Sequence, residues 1–313
     1  MQSLYFAKAG LAFLLVAETP IVFAQQTPAK VAQPDGISLG HEISLPPDPE
    51  LVNTEARLRT SLQHNPQSTD TLYELALVLR KENKPRESLT TYTRAAQIQK
   101  PNAVQLRSVA LDYVLLDDYD DAVRWLRVAL GMDPNNTDVL YSLGRCLYTK
   151  NLFPEAEKVY LRLLALDPTN LKAKENLGLT YDAQNDPQRA EEALRTAAQW
   201  AKERALRDPW PYLDLGIFLL EQARASDAQP FLETAVQLDP QSALAHQKLG
   251  MALVSNGDST GGIRELELAV GLAPKDPKAH FELGRAYRAA GQQDKARAEF
   301  DISKALYGQH SQD

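Results

Sequence analysis

From Thr69 onward, large apolar residues, small residues and prolines return together every 34 positions. With Thr69 counted as position 1, copies begin at Thr69, Ala103, Thr137, Leu171, Pro209, Ala243 and Pro277. Position 7 is always large and apolar: Leu75, Val109, Leu143, Leu177, Leu215, Leu249, Leu283. Position 8 is always small: Ala76, Ala110, Gly144, Gly178, Gly216, Gly250, Gly284. Position 20 is small again, from Ser88 through Ala122, Ala156, Ala190, Ala228 and Gly262 to Ala296, and position 24 returns to bulk in Tyr92, Leu126, Tyr160, Leu194, Leu232, Leu266 and Phe300. Two antiparallel helices per copy explain this alternation. They approach closely only where both are small, and large side chains fill the space beside that crossing. Glycine inside a helix costs roughly 1 kcal/mol against alanine, so five glycines at one position argue for a packing gain that outweighs it. Pro134, Pro168, Pro240 and Pro274 at position 32 push the preceding residue out of the helical region and close each second helix.

The spacing resembles the tetratricopeptide repeat, a helix-turn-helix unit of 34 residues. The resemblance covers about residues 48–310 and implies an all-α fold, a right-handed α-α superhelical solenoid of about seven units: 69–102, 103–136, 137–170, 171–208, 209–242, 243–276 and 277–310. Residues 48–68 carry Leu51, Leu58 and Leu62 at helical spacing and read as a half unit capping the first end. The frame slips by four residues after Arg204, about one helical turn, which predicts a longer second helix over 188–207. Because an array grows along one axis without a central core, one elongated domain is expected.

Charge and composition narrow the function. The net charge of −7, with no run of Lys or Arg longer than two, argues against nucleic acid as partner. At the N-terminus Lys8, the apolar stretch from Ala9 to Ala17 and the Val22-Phe23-Ala24 end have the layout of a signal peptide over 1–24. Glu18 and Pro20 interrupt the apolar run well short of the roughly 20 residues of a spanning helix, so no membrane span is expected after its removal. The expected location is exported, periplasmic or secreted. Residues 25–47, polar and broken by Pro28, Pro34, Gly36, Pro46 and Pro47, read as a flexible linker. The single cysteine, Cys146, excludes an intramolecular disulfide and reads as a packing residue.

No GxSxG elbow, GxxxxGK loop, HExxH or CxxC is present, so the chain is read as a non-enzyme, with no catalytic residue, cofactor or metal assigned. His246 and His280, both at position 4, invite a metal but fall short of four ligands, and they read as packing. Asn135-Asn136-Thr137 satisfies the glycosylation triplet, a short and weak pattern.

The resemblance implies that first helices line a concave groove with positions 2, 5, 9 and 12. There the fifth and sixth copies present Trp210, Leu213, Ile217, Leu220, Leu244, Gln247, Met251 and Val254, an apolar surface fit for a peptide or helix. A second, polar zone comprises Arg107, Tyr141, Arg145, Tyr148 and Lys172 with Asn176 alongside, suited to an acidic segment. Family members that clasp a C-terminal carboxylate use Lys, Asn, Asn, Lys and Arg where this chain has Arg107, Leu111, Ser142, Lys172 and Asn176, so that clamp is largely missing. The expected function is a protein-protein interaction scaffold. The alternatives are an assembly factor for an envelope complex, or an accessory subunit of an enzyme with an undetected site. Self-association through the C-terminal helix, left uncapped, is a further reading.

Overall fold

The computed structural model describes residues 48–310. The expected signal peptide and linker lie outside the described residues. Those described form fifteen helices and, among them, no strand. They fall into two compact units, one ending at Pro168 and one beginning at Thr169.

The first unit holds α1 (Pro49–His64), α2 (Thr69–Lys81), α3 (Pro85–Ile98), α4 (Ala103–Leu115), α5 (Tyr119–Met132), α6 (Thr137–Thr149) and α7 (Phe153–Leu166). The second holds α8 (Leu171–Ala183), α9 (Pro187–Glu203), α10 (Trp210–Glu221), α11 (Ala225–Leu238), α12 (Ala243–Ser255), α13 (Ser259–Leu272), α14 (Pro277–Ala289) and α15 (Gln293–His310). From α2 onward each even-numbered helix pairs with its successor as an antiparallel hairpin, giving the all-α repeat fold that the 34-residue pattern predicts.

Local chemistry sets the helix ends. Ser68, Asn102, Asn136, Asn170 and Ser242 each accept a backbone N–H from three residues on, satisfying a donor that a helix start leaves unpaired. Asn102 and Gln105 complete a reciprocal capping box. At the other end of each first helix, position 15 always takes a left-handed φ: Asn83, Asp117, Asn151, Asn185, Ala223, Gly257 and Gly291, between 56° and 93°. The next residue then donates back five positions, as Lys84 does to the Leu79 carbonyl (2.8 Å) and Gln292 to that of Tyr287 (2.9 Å). This bond closes the hairpin turn in every copy. Ala223 alone among the seven has neither a short polar side chain nor a glycine's freedom, and it bears a local strain of about 1–2 kcal/mol.

The helix α9 corrects one expectation. It runs Pro187–Glu203, three residues longer than the fourteen-residue α11, but stops before Arg207. Ala205 turns left-handed (φ 50°) and Leu206 N–H bonds the Ala201 carbonyl at 3.0 Å, so the same five-residue closure ends the helix early.

Position 8 is where the paired helices meet. A Cβ on Gly144 would stand 2.5 Å from the Tyr160 ring, and one on Gly216 would stand 2.5 Å from the Leu232 side chain. The large residue at position 24 thus lies directly over the glycine. In the α12–α13 hairpin the backbones themselves close up, since a Cβ on Gly250 would lie 2.9 Å from the Gly262 carbonyl oxygen. Tyr160, Leu194 and Leu232, the lids of these crossings, are fully buried.

Candidate functional site

Within the second unit the first helices α10, α12 and α14 pack side by side. On α10 Trp210 is 44% exposed, Ile217 and Leu220 are half-buried, and on α12 Leu244, Met251 and Val254 are half-buried. These six keep apolar surface accessible, Val254 while also packing against the Leu266, Leu283 and Ala286 core. Leu213, at 2% exposed, and Gln247 sit inside the stack instead. Position 5 points at the following first helix, so Glu175, Leu213 and Gln247 are covered. Phe281 holds the same position on α14, where no further first helix is described, and is 46% exposed. The groove reading therefore loses Leu213 as a surface residue and keeps its neighbours on α10.

The polar set is distributed over both units. In the first unit Arg107 Nε donates to Ser142 Oγ at 2.9 Å, and the Arg145 guanidinium stands 5.7 Å from the Tyr141 ring centroid. Tyr148 is buried, edge-on to Phe153 at 5.3 Å, so it is a packing residue. In the second unit Lys172 is exposed, and the Asn176 amide donates to the Lys172 carbonyl at 2.8 Å within its own helix. Ser142 and Asn176, two of the clamp positions, are thus engaged internally.

The two histidines do not face a shared ligand. His246 places Nδ1 2.7 Å from Glu265 Oε2 and Nε2 3.1 Å from the Pro240 carbonyl. His280 repeats this with Glu299 (2.6 Å) and Pro274 (3.1 Å). In the last two copies position 4 is thus a buried polar staple tying the first helix to its own second helix and to the preceding proline. Among the described residues no cluster of three or more metal-ligating side chains occurs. Burial pushes the Cys146 thiol up to about 12, far from the low values of reactive thiols.

Buried carboxyls are the feature the sequence reading passed over. Asp112 is fully buried, and desolvation raises it to about 7 against the pull of Ser88 and Arg80. Glu175 and Asp214 face one another across α8 and α10, and burial raises both above the ordinary carboxylate range; the Asp214 charge adds to the rise at Glu175, whereas at Asp214 the hydrogen bond with Glu175 opposes the rise. For Asp112 the sequence signal was available, since position 10 is otherwise small or apolar (Val78, Cys146, Thr180, Phe218, Ala252, Ala286), whereas positions 5 and 6, which hold Glu175 and Asp214, are mixed and give no such cue.

Three family models described as tetratricopeptide repeat match residues 114–175, residues 171–204, and residues 213–277 with 248–311, together more than half of the chain. The chain belongs to the tetratricopeptide repeat family. No curated protein sequence matches it. Among solved structures, this tetratricopeptide array is similar to the Cut9-Hcn1 hetero-tetramer of the APC/C (TM-score 0.63, 16% identity, 82% of this chain). It spans 50% of that chain. A tetratricopeptide repeat protein from Parabacteroides merdae gives a TM-score of 0.62 at 16% identity, covering 76% of this chain and 92% of its own. Pseudomonas aeruginosa PilF gives 0.59 at 19% identity, covering 71% and 97%. At such identities the likeness concerns the fold. No described helix of the tetratricopeptide array is long and apolar enough to cross a membrane.

Proposed function

We propose that the protein is a non-enzymatic interaction scaffold that binds an apolar helix or extended segment of another protein on the first-helix face of α10 and α12. Tetratricopeptide repeat proteins bind proteins or peptides, and the single observation that carries the reading here is Trp210. This large aromatic side chain is 44% exposed at the start of an ordered helix, beside half-buried Ile217, Leu220, Leu244, Met251 and Val254. Partly exposed apolar side chains gathered on neighbouring helices are the usual mark of an interaction surface. Aromatic side chains such as Trp are also the usual anchors of binding energy.

Six partly exposed side chains, each recovering on the order of 1 kcal/mol on burial, give about 6 kcal/mol gross, against association costs of about 4 kcal/mol or more. The face by itself therefore supports weak, exchangeable binding, and polar contacts must add the rest. A photo-crosslinking residue placed at Leu220 in the living cell is expected to yield a discrete adduct. The adduct should disappear in Trp210→Asp and Leu244→Asp, two variants of accessible positions whose folding is checked by circular dichroism. An adduct that survives both changes, or turnover of a substrate by the purified chain alone, would overturn the scaffold reading.

We infer also that the protein is exported, on the strength of Lys8, the apolar stretch Ala9–Ala17 and the small-residue end at Ala24. N-terminal sequencing of the protein recovered from its own cells should begin at Gln25. A chain that retains Met1 would refute the export reading.

A further inference from the structure

The apolar face continues into a cleft of about 300 Å³ between α12, α13 and α14. This is the lower end of the range of about 300–1,000 Å³ for ligand pockets, room for one or two side chains. Met251 and Val254, already on the face, line one wall, and Ala286 lines the other. Ser255, Leu266 and Ala289 also line it, together with three charged residues: Glu282, Arg285 and Arg288. Arg285 Nη1 donates to both Glu282 oxygens, at 3.0 and 3.2 Å, so those two charges offset each other. Arg288 forms no ion pair among the described residues. Its guanidinium stands 5.4 Å from the Phe300 ring centroid, which orients the group without neutralising it. The cleft thus has apolar walls at Met251, Val254, Leu266, Ala286 and Ala289, interrupted by Ser255, with a net single positive charge beside them.

We propose that this cleft is a specificity subsite for a peptide carrying a large apolar side chain next to an acidic one, the apolar group entering between Met251, Val254 and Ala286 and the carboxylate pairing with Arg288. This assignment rests on the peptide-binding reading of the first-helix face and names the chemistry of the peptide. A neutral apolar segment would take water from the Arg288 guanidinium without replacing its hydrogen bonds, and a basic one would be repelled. An Asp or Glu side chain supplies a charge-assisted pair with the planar guanidinium. Preference therefore comes from penalising the wrong segments as much as from attracting the right one. Continuity with the face sets the register, because Met251 and Val254 belong to both.

The test uses the full chain as bait for two displayed libraries of random twelve-residue peptides, one fused at both ends and one with a free C-terminus. The wild type is expected to enrich, from the first library, peptides with an acid adjacent to Leu, Ile, Phe or Met. Arg288→Gln, an exposed substitution, should lose that acidic preference and bind the enriched peptides roughly tenfold more weakly. Enrichment without acids, the same enrichment on Arg288→Gln, enrichment confined to free C-termini, or no enrichment at all overturns the subsite. The two readings separate cleanly. Neutral apolar peptides that Trp210→Asp abolishes and Arg288→Gln leaves bound would remove the subsite and keep the face.

Discussion

Gly250→Val is expected to lower the stability of the second unit by about 2–4 kcal/mol, the cost of forcing extra carbon into a close-packed crossing plus the poor fit of a branched side chain in a helix. At Gly144, Gly178, Gly216 and Gly284 the nearest obstacle to a Cβ is a side chain of the residue at position 24. At Gly250 the obstacles include the Gly262 carbonyl oxygen at 2.9 Å and the Leu266 nitrogen at 3.2 Å, and backbone has no rotamer to change. Relief requires α13 to move away from α12, which would also disturb Leu266 at the core of that hairpin. Gly271→Ala is the matched control. Nothing lies within 4 Å of its Cβ, so the better helix former should gain about 0.5–1 kcal/mol. Urea unfolding of the three proteins decides the matter, and an unchanged midpoint for Gly250→Val would mean that the crossing is looser than the 2.9 Å approach indicates.

Asp112→Asn should flatten the pH dependence of stability in the first unit. Ser88 Oγ stands 2.7 Å from both the Ala76 carbonyl and Asp112 Oδ2, yet a hydroxyl has one proton to give. When that proton goes to Ala76, the contact with Asp112 needs the carboxyl to carry its own. Asp112 Oδ1 has no hydrogen-bond partner, which makes the charged form more costly still. In the unfolded chain this carboxyl ionises near pH 4, whereas in the folded protein burial holds its proton until about 7. The folded state therefore binds the extra proton between those values. Its contribution to stability is complete below about pH 4 and is lost as pH rises toward 7. At roughly 1.4 kcal/mol per unit, the loss is on the order of 2–4 kcal/mol. Glu175 and Asp214 shift in the same direction, so the informative quantity is the difference between wild type and variant at pH 4.5 and at pH 8. Asn keeps a donor facing Ser88 at every pH and should be the more stable protein at pH 8. Parallel stability profiles would show that Asp112 is ionised in the fold.

Much of this architecture was legible because the repeat states each instruction several times. A lone glycine at Gly144 says little, but small residues at position 8 in seven copies identify the helix crossing, and the prolines at position 32 identify where second helices stop. Position 15 carried a comparable signal that went unread: Asn, Asp, Asn, Asn, Ala, Gly, Gly is the composition of a left-handed turn, with Ala223 as the strained exception. The end of α9 was harder, because Ala205 gives no such cue and only the backbone bond from Leu206 to Ala201 reveals the stop.

The candidate site was less legible, for a reason of geometry. Positions 2, 5, 9 and 12 share one side of a helix, but whether position 5 meets solvent depends on the helix that follows in space, so Leu213 is buried where Phe281 is not. The cleft was missed because Arg285 and Arg288 lie in the seventh copy, and their meaning comes from facing Met251 and Val254 one repeat earlier.

The turn shared by all seven copies also bears on how the chain acquires its shape. Each turn is fastened by a bond spanning five residues, and each crossing joins partners such as Gly144 and Tyr160, within a single hairpin. Little has to wait for a distant part of the polypeptide, so a hairpin emerging from synthesis already contains its own closing instructions, and maturation should advance piecewise and fast.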